Sequence, residues 1–313
     1  MALYSKPFLE LPDQVALLQS RGLTITNGLA AQDDLRRIGY YRLSAYWYPF
    51  RVPISLKPPA RSDNFLPGSR FVDAVELYDF DKKLKLLLMD AIETIEVAVR
   101  VEIATCLGRK GAFAYLNPAE LHPVFSEWPK SGVPPYIDWN IKMNQMIGRS
   151  REEFTSDFKS KYQLPMPIWI ACELWDFGMM VRLYSGLKLA DRQSIATKFG
   201  VANGVLFESW LRALNVIRNI VAHHSRLWNR LLGVAPQLPR RGLMPSFDVL
   251  PPQTNKRIYA ILCVLAHLLS QINPNSNWKK RVAALANSFP AMPHAKLSDM
   301  GFPANWQTQL FWN

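Results

Sequence analysis

Apolar residues recur every three or four positions through most of the chain, and runs of strict alternation are scarce, so the pattern predicts an all-α fold. The clearest stretch is Phe71 to Leu107, where Leu77, Phe80, Leu84, Leu88, Ala91, Ile95 and Val99 keep helical spacing until Gly108. That is one long core helix, on which Glu96 can pair with Arg100 one turn on. Shorter helices are expected at Leu11–Gly22, Asp33–Ile38, Tyr136–Ile147, Glu152–Tyr162, Ile168–Leu187, Asp191–Phe199, Lys256–Ile272 and Asn277–Ser288. A further long one is expected over Leu206–Leu231. The proline-bearing stretches Val52–Gly68, Gly108–Pro135 and Pro236–Pro252 read as loops. The chain divides into an N-terminal helical and aromatic segment (1–68), a multi-helix core (69–235) carrying the 206–231 helix, and a basic C-terminal helical extension (236–313), expected to form one unit.

Composition narrows the function. With 49% hydrophobic and 12% aromatic residues the chain is not a disordered one. It holds 37 Lys and Arg against 25 Asp and Glu, a net charge of +12, which points to an anionic partner. The surplus is uneven: residues 1–200 carry 25 basic and 22 acidic side chains, residues 201–313 carry 12 and 3. An anionic partner, most commonly a nucleic acid, is therefore expected over the C-terminal helices. Cys106, Cys172 and Cys263 stand far apart in apolar surroundings, without zinc spacing, and read as buried thiols in a reducing cytoplasm. Met1–Pro12 lacks a secretory pattern, and Ile258–Ile272 is shorter than the roughly 20 residues that span a bilayer. A soluble cytoplasmic protein without metal, cofactor or membrane partner is expected.

The chemistry concentrates in Trp210–Arg230. At about 100° per residue, and with Asn219 at zero, Trp210, Leu214, Ile217, Val221 and Trp228 share one side of a helix. Arg212, Asn215, Asn219, His223, Arg226 and Arg230 share the other, within roughly 40°. No acid occurs between Glu208 and Asp248, so this polar stripe invites a phosphate. His223 lies on the stripe and is assigned to proton transfer, while His224 turns about 100° away and is assigned to packing or a supporting hydrogen bond. Arg218 lies about 140° from His223 on the wheel and is long enough to reach round or to meet a second protomer. The segment Tyr40–Arg51 interleaves aromatics with arginine, which suits either base stacking or a small aromatic core.

At these residues the chain resembles a known family. Arg218-Asn219-Ile220-Val221-Ala222-His223 is similar to the R-x4-6-H signature of HEPN ribonucleases. The wider string Arg218–Arg230 resembles Abi-like phage abortive-infection proteins of the AbiD/AbiF group. Arg37–Trp47, Leu77–Leu84, Ala91–Ala98, Pro167-Ile168-Trp169 and Ser209-Trp210-Leu211 match in the same order, and the resemblance spans Lys6 to Arg230. It implies a helical antiphage or toxin-type endoribonuclease that works without metal. Arg218 and His223 would be the catalytic pair, Asn219 a supporting polar residue, and Arg212, Asn215, Arg226 and Arg230 the RNA contacts. The family further implies a homodimer whose Arg and His pairs converge in one cleft, and a small noncoding RNA as a regulatory partner. Two other readings of the same residues stay open: a non-catalytic protein that clamps structured RNA on its basic face, and a purely structural role for Arg218 and His223.

Overall fold

A computed structural model describes residues 3, 5, 7–56, 59–250 and 254–312. The expectations that touch Met1, Ala2, Tyr4, Lys6, Lys57, Pro58, Pro251, Pro252, Gln253 and Asn313 lie, at those positions, outside the described residues. The first three helices are α1 (Leu11–Ser20), α2 (Gly28–Ile38) and α3 (Tyr40–Trp47), with Gly39 at φ 92° making the corner between α2 and α3. An antiparallel hairpin follows, β1 (Arg51–Leu56) and β2 (Pro59–Phe65), and then α4 (Phe71–Gly108). Beyond it come α5 (Pro123–Ser126), α6 (Pro135–Arg149), α7 (Glu153–Lys161), α8 (Ile168–Ala171), α9 (Phe177–Ser185), α10 (Leu189–Lys198) and α11 (Gly204–Ala222). The last two are α12 (Ile258–Ile272) and α13 (Trp278–Asn287). The fold is mainly helical, as the periodicity predicts.

The 38 residues of α4 make a rod of about 57 Å. Helices α3, α11, α12 and α13 pack along it, and α8 and α9 lie at its C-terminal half. One buried apolar cluster includes Leu43, Leu88, Trp210 and Ile261, so side chains from all three sequence segments share a core. Helix α12 is buried along most of its length, and the Trp278 indole of α13 donates to the Leu87 carbonyl of α4 at 2.7 Å. The C-terminal region is thus part of the body that supports α4. Among the described residues no helix is long and apolar enough to cross a membrane.

The short helix α5 lies within the expected Gly108–Pro135 loop, α2 begins five residues before the expected Asp33, and Cys106 is only half-buried; three further expectations change. The Val52–Gly68 stretch contains the hairpin rather than only loop; its register shifts between Arg51 and Pro53 and again between Pro53 and Ser55, which erases the period-two pattern a strand would show. Ile168–Leu187 is two helices, because Asp176 caps α9 by accepting from the Met179 N–H at 2.7 Å after an extended Trp175. The third change falls on the 206–231 helix and reshapes the site.

Candidate functional site

Helix α11 begins at Gly204, capped by the Asn203 side chain, and ends at Ala222, nine residues before the expected Leu231. Its apolar side is the expected one: Trp210, Leu214, Ile217 and Val221 are buried. The end is a Schellman turn. His223 is the C-cap, His224 adopts φ 55°, its N–H donates to the Val221 carbonyl, and the Ser225 N–H donates to the Ile220 carbonyl. The left-handed position is usually glycine, and His224 is the one non-glycine residue at positive φ among the described residues. A side chain there costs about 1–2 kcal/mol.

The expected six-residue polar stripe is therefore not one helical face. Arg212, Asn215, Asn219 and His223 stay on α11 or its cap, whereas Arg226 and Arg230 belong to the turn beyond it. Arg226 is half-buried and donates to the Ala45 carbonyl of α3; burial lowers its pKa. Exposed Arg230 reaches back to the Arg226 carbonyl. Arg212 is not unopposed either, since Glu208 accepts from its Nε at 2.9 Å and also pairs with Arg192. Those groups and Asn215 line a cleft of about 660 Å³ together with His122, Phe125 and Arg182.

Arg218, Asn219 and His223 contrast with this. Asn219 and His223 are exposed, and none of the three side chains makes a hydrogen bond or ion pair among the described residues. Arg218 is half-buried beside α4. Burial raises the pKa of the Glu96 carboxyl there, while the charges of Arg100 and Arg218 pull it down. His224 is exposed with no side-chain partner among the described residues, so the packing role expected for it is not the one the fold gives it.

What fixes the turn lies underneath, in residues the sequence reading did not single out. Helix α11 runs antiparallel to α4, with Glu96 beside Arg218, Lys85 against Ser225 and Asp81 against Leu227. Asp81 is fully buried; it accepts from the Tyr46 hydroxyl at 2.7 Å and from the Leu227 N–H at 3.2 Å, and pairs with Lys85 at 3.3 Å. Burial raises its pKa against the opposing pull of these three donors. From the side, Arg42 of α3 donates to the His224 carbonyl at 2.8 Å. An acid and a lysine four residues apart, set beside Leu77, Leu84 and Leu88 on an apolar face, were the available signal.

The stretches that matched in sequence meet around this turn. From Arg37–Trp47 come Arg42, Ala45 and Tyr46; from Leu77–Leu84 comes Asp81; from Ala91–Ala98 comes Glu96. Ser209 and Trp210 of α11 hold the chain after the turn, accepting from the Gln237 N–H and donating to its carbonyl. No group of three or more His, Cys, Asp or Glu able to hold a metal ion occurs among the described residues.

Comparison with curated proteins and with solved structures finds no match. Comparison with protein families matches residues 33–229 to the Abi-like proteins, a stretch covering more than half the chain and ending with the turn just described. The chain belongs to the Abi-like protein family, a membership that suggests a role in phage abortive infection.

Proposed function

We propose that the protein is an endoribonuclease of the HEPN type, of the AbiD/AbiF group, that cuts RNA without a metal ion at a site made of Arg218, Asn219 and His223. The observation that carries this reading is that Asn219 and His223 are exposed and without side-chain partners among the described residues, with Arg218 five residues before His223, beside a turn bonded from beneath. Asn219 and His223 are thereby free to meet a ligand, and a phosphodiester could use both together with Arg218, whose charge also acts on Glu96.

In the proposed reaction the ribose 2′-OH attacks the adjacent phosphorus as a base removes its proton. The bond to the 5′-oxygen breaks as an acid protonates that oxygen. The product strand ends in a 2′,3′-cyclic phosphate. Histidine supplies proton transfer, typically worth 10² to 10⁴ in rate, and Arg218 offsets charge on the phosphorane. One histidine cannot be acid and base in the same step, so the reading includes a homodimer in which the second copy supplies the other group. Exposed Val97 of α4, next after Glu96, exposed Val101 about one turn further on, and exposed Trp169, which lines one depression with Val101, offer apolar area for that copy to cover. Asn215 and Arg230 remain candidate RNA contacts; Arg212 and Arg226 would act mainly by holding the surface in shape.

The test is incubation of purified protein with mixed RNA in a chelator, followed by mapping of the product ends. Cleavage leaving 2′,3′-cyclic phosphates, lost in Arg218→Ala and in His223→Ala, is the expected result. RNA bound but never cut by the unaltered chain would instead support a clamp that holds a structured small RNA. An active monomer by light scattering would remove the shared-site part of the proposal.

A further inference from the structure

The aromatic segment 40–51 divides in two. Leu43, Tyr46, Trp47 and Phe50 are buried, but Tyr41 is 90% exposed and Tyr48 41% exposed. Ala45 and Tyr48 each fall within about 40° of Tyr41 at 100° per residue, so the three share one outward face of α3 and the turn that follows it. That face does not end at α3. Ser44, Ala45 and Tyr48 line an open depression of about 520 Å³ with Arg226 and Arg230, and none of those five residues is acidic. The Arg61 guanidinium lies over the Tyr48 ring, 5.9 Å from its centroid, adding a third cation beside that ring. Arg42, exposed and next to Tyr41 in sequence, lies about 100° round the helix from it and donates to the His224 carbonyl, which links α3 to the histidine turn.

We infer that the outward face of α3 with the 226–230 turn is a binding track for single-stranded RNA leading to His223, on which Tyr41 and Tyr48 stack bases and Arg42 and Arg230 hold phosphates. The inference rests on RNA being the substrate. Charge and ring geometry select the occupant. A phenol ring that is almost wholly exposed offers its face to an unpaired base, and stacking is available to every base and needs no hydrogen-bond readout. Arginines without a lining acid favour a polyanion, and Arg42 and Arg230 each keep guanidinium N–H groups beyond the single bond they make to a carbonyl. A duplex buries its base faces and would leave the two rings without a partner. The track adjoins the turn that carries His223, because Arg226 and Arg230 follow it in that turn and Arg42 bonds to the neighbouring His224 carbonyl.

The test uses the full chain carrying His223→Ala, to separate binding from cutting, and a fluorescent unstructured RNA of about 12 nucleotides. Tyr41→Ala and Tyr48→Ala should each weaken binding about tenfold, and Tyr41→Phe should stay within about twofold because the ring remains. The same sequence as a duplex should bind more weakly than the single strand. Unchanged melting curves are expected for Tyr41→Ala, whose ring packs against little. If both alanine variants bind as tightly as their parent, or if duplex and single strand bind equally, the inference is overturned while an RNA-cutting site at His223 stands. If the parent binds no RNA, both fall. If His223→Ala still cuts at the full rate but the tyrosine variants lose affinity, the track stands and the catalytic assignment falls.

Discussion

The underside and the outer side of the turn after α11 are built on opposite principles. Below it, Asp81, Tyr46, Lys85 and the Leu227 N–H are buried and bonded to one another. Above it, Asn219, His223 and His224 point their side chains into open surroundings with no partner among the described residues. Buried polar groups need partners, since an unmet one costs about 1–3 kcal/mol. Exposed groups have no such requirement, so a cluster of them on a backbone held this firmly is available for a ligand. Stability and function should therefore separate cleanly between the two sides.

The largest effect should come from the underside. Asp81→Ala leaves Lys85 buried without its acid and the Leu227 N–H without an acceptor, and should destabilise the fold by about 3 kcal/mol or more. Denaturant melts measure this, and a loss below about 1 kcal/mol would mean that the network does not hold the turn. His224→Gly should act in the opposite sense. It relieves the left-handed strain at φ 55° but adds freedom to the unfolded chain, for a net gain of about 0.5 kcal/mol. A loss instead would show that the imidazole packs against something. The smallest effect lies away from the turn. His267 donates from Nε2 to the carbonyls of Phe199 and Gly200, and burial holds its pKa below the ordinary 6.5. The unfolded chain then takes up the proton more readily, so stability should fall as pH drops below 6.5 towards the folded value. His267→Gln should flatten that part of the stability profile.

Much of this was legible in the sequence. The length of α4 and the apolar face of α11 follow from spacing along single helices, and so does the placing of Asn219 and His223 on one side; Arg218 lies off that side, and only the family resemblance joined it to them. The end of α11 does not. No glycine or proline falls between Arg218 and Leu232 to signal a stop, and Trp228 continues the apolar period although a turn, not a helix, carries it into the core with Leu227. The stop is made by His224 in a conformation that glycine normally advertises. Arg226 misled for the same reason, since on a continued helix it would face outward with Asn219, yet it donates to Ala45 of α3. The anchors Asp81, Lys85 and Arg42 lie 140 residues or more from the turn in sequence, beyond the reach of periodicity.

The central claim is that the unpartnered side chains on the outer side cut RNA. The direct measurement is the single-turnover cleavage rate of His223→Ala against the unaltered chain, in chelator, with melting curves of both. The account predicts a rate lower by at least about 10² with no change in stability, because His223 is exposed and bonded to nothing among the described residues. Cleavage at the unaltered rate by a folded His223→Ala protein would contradict it.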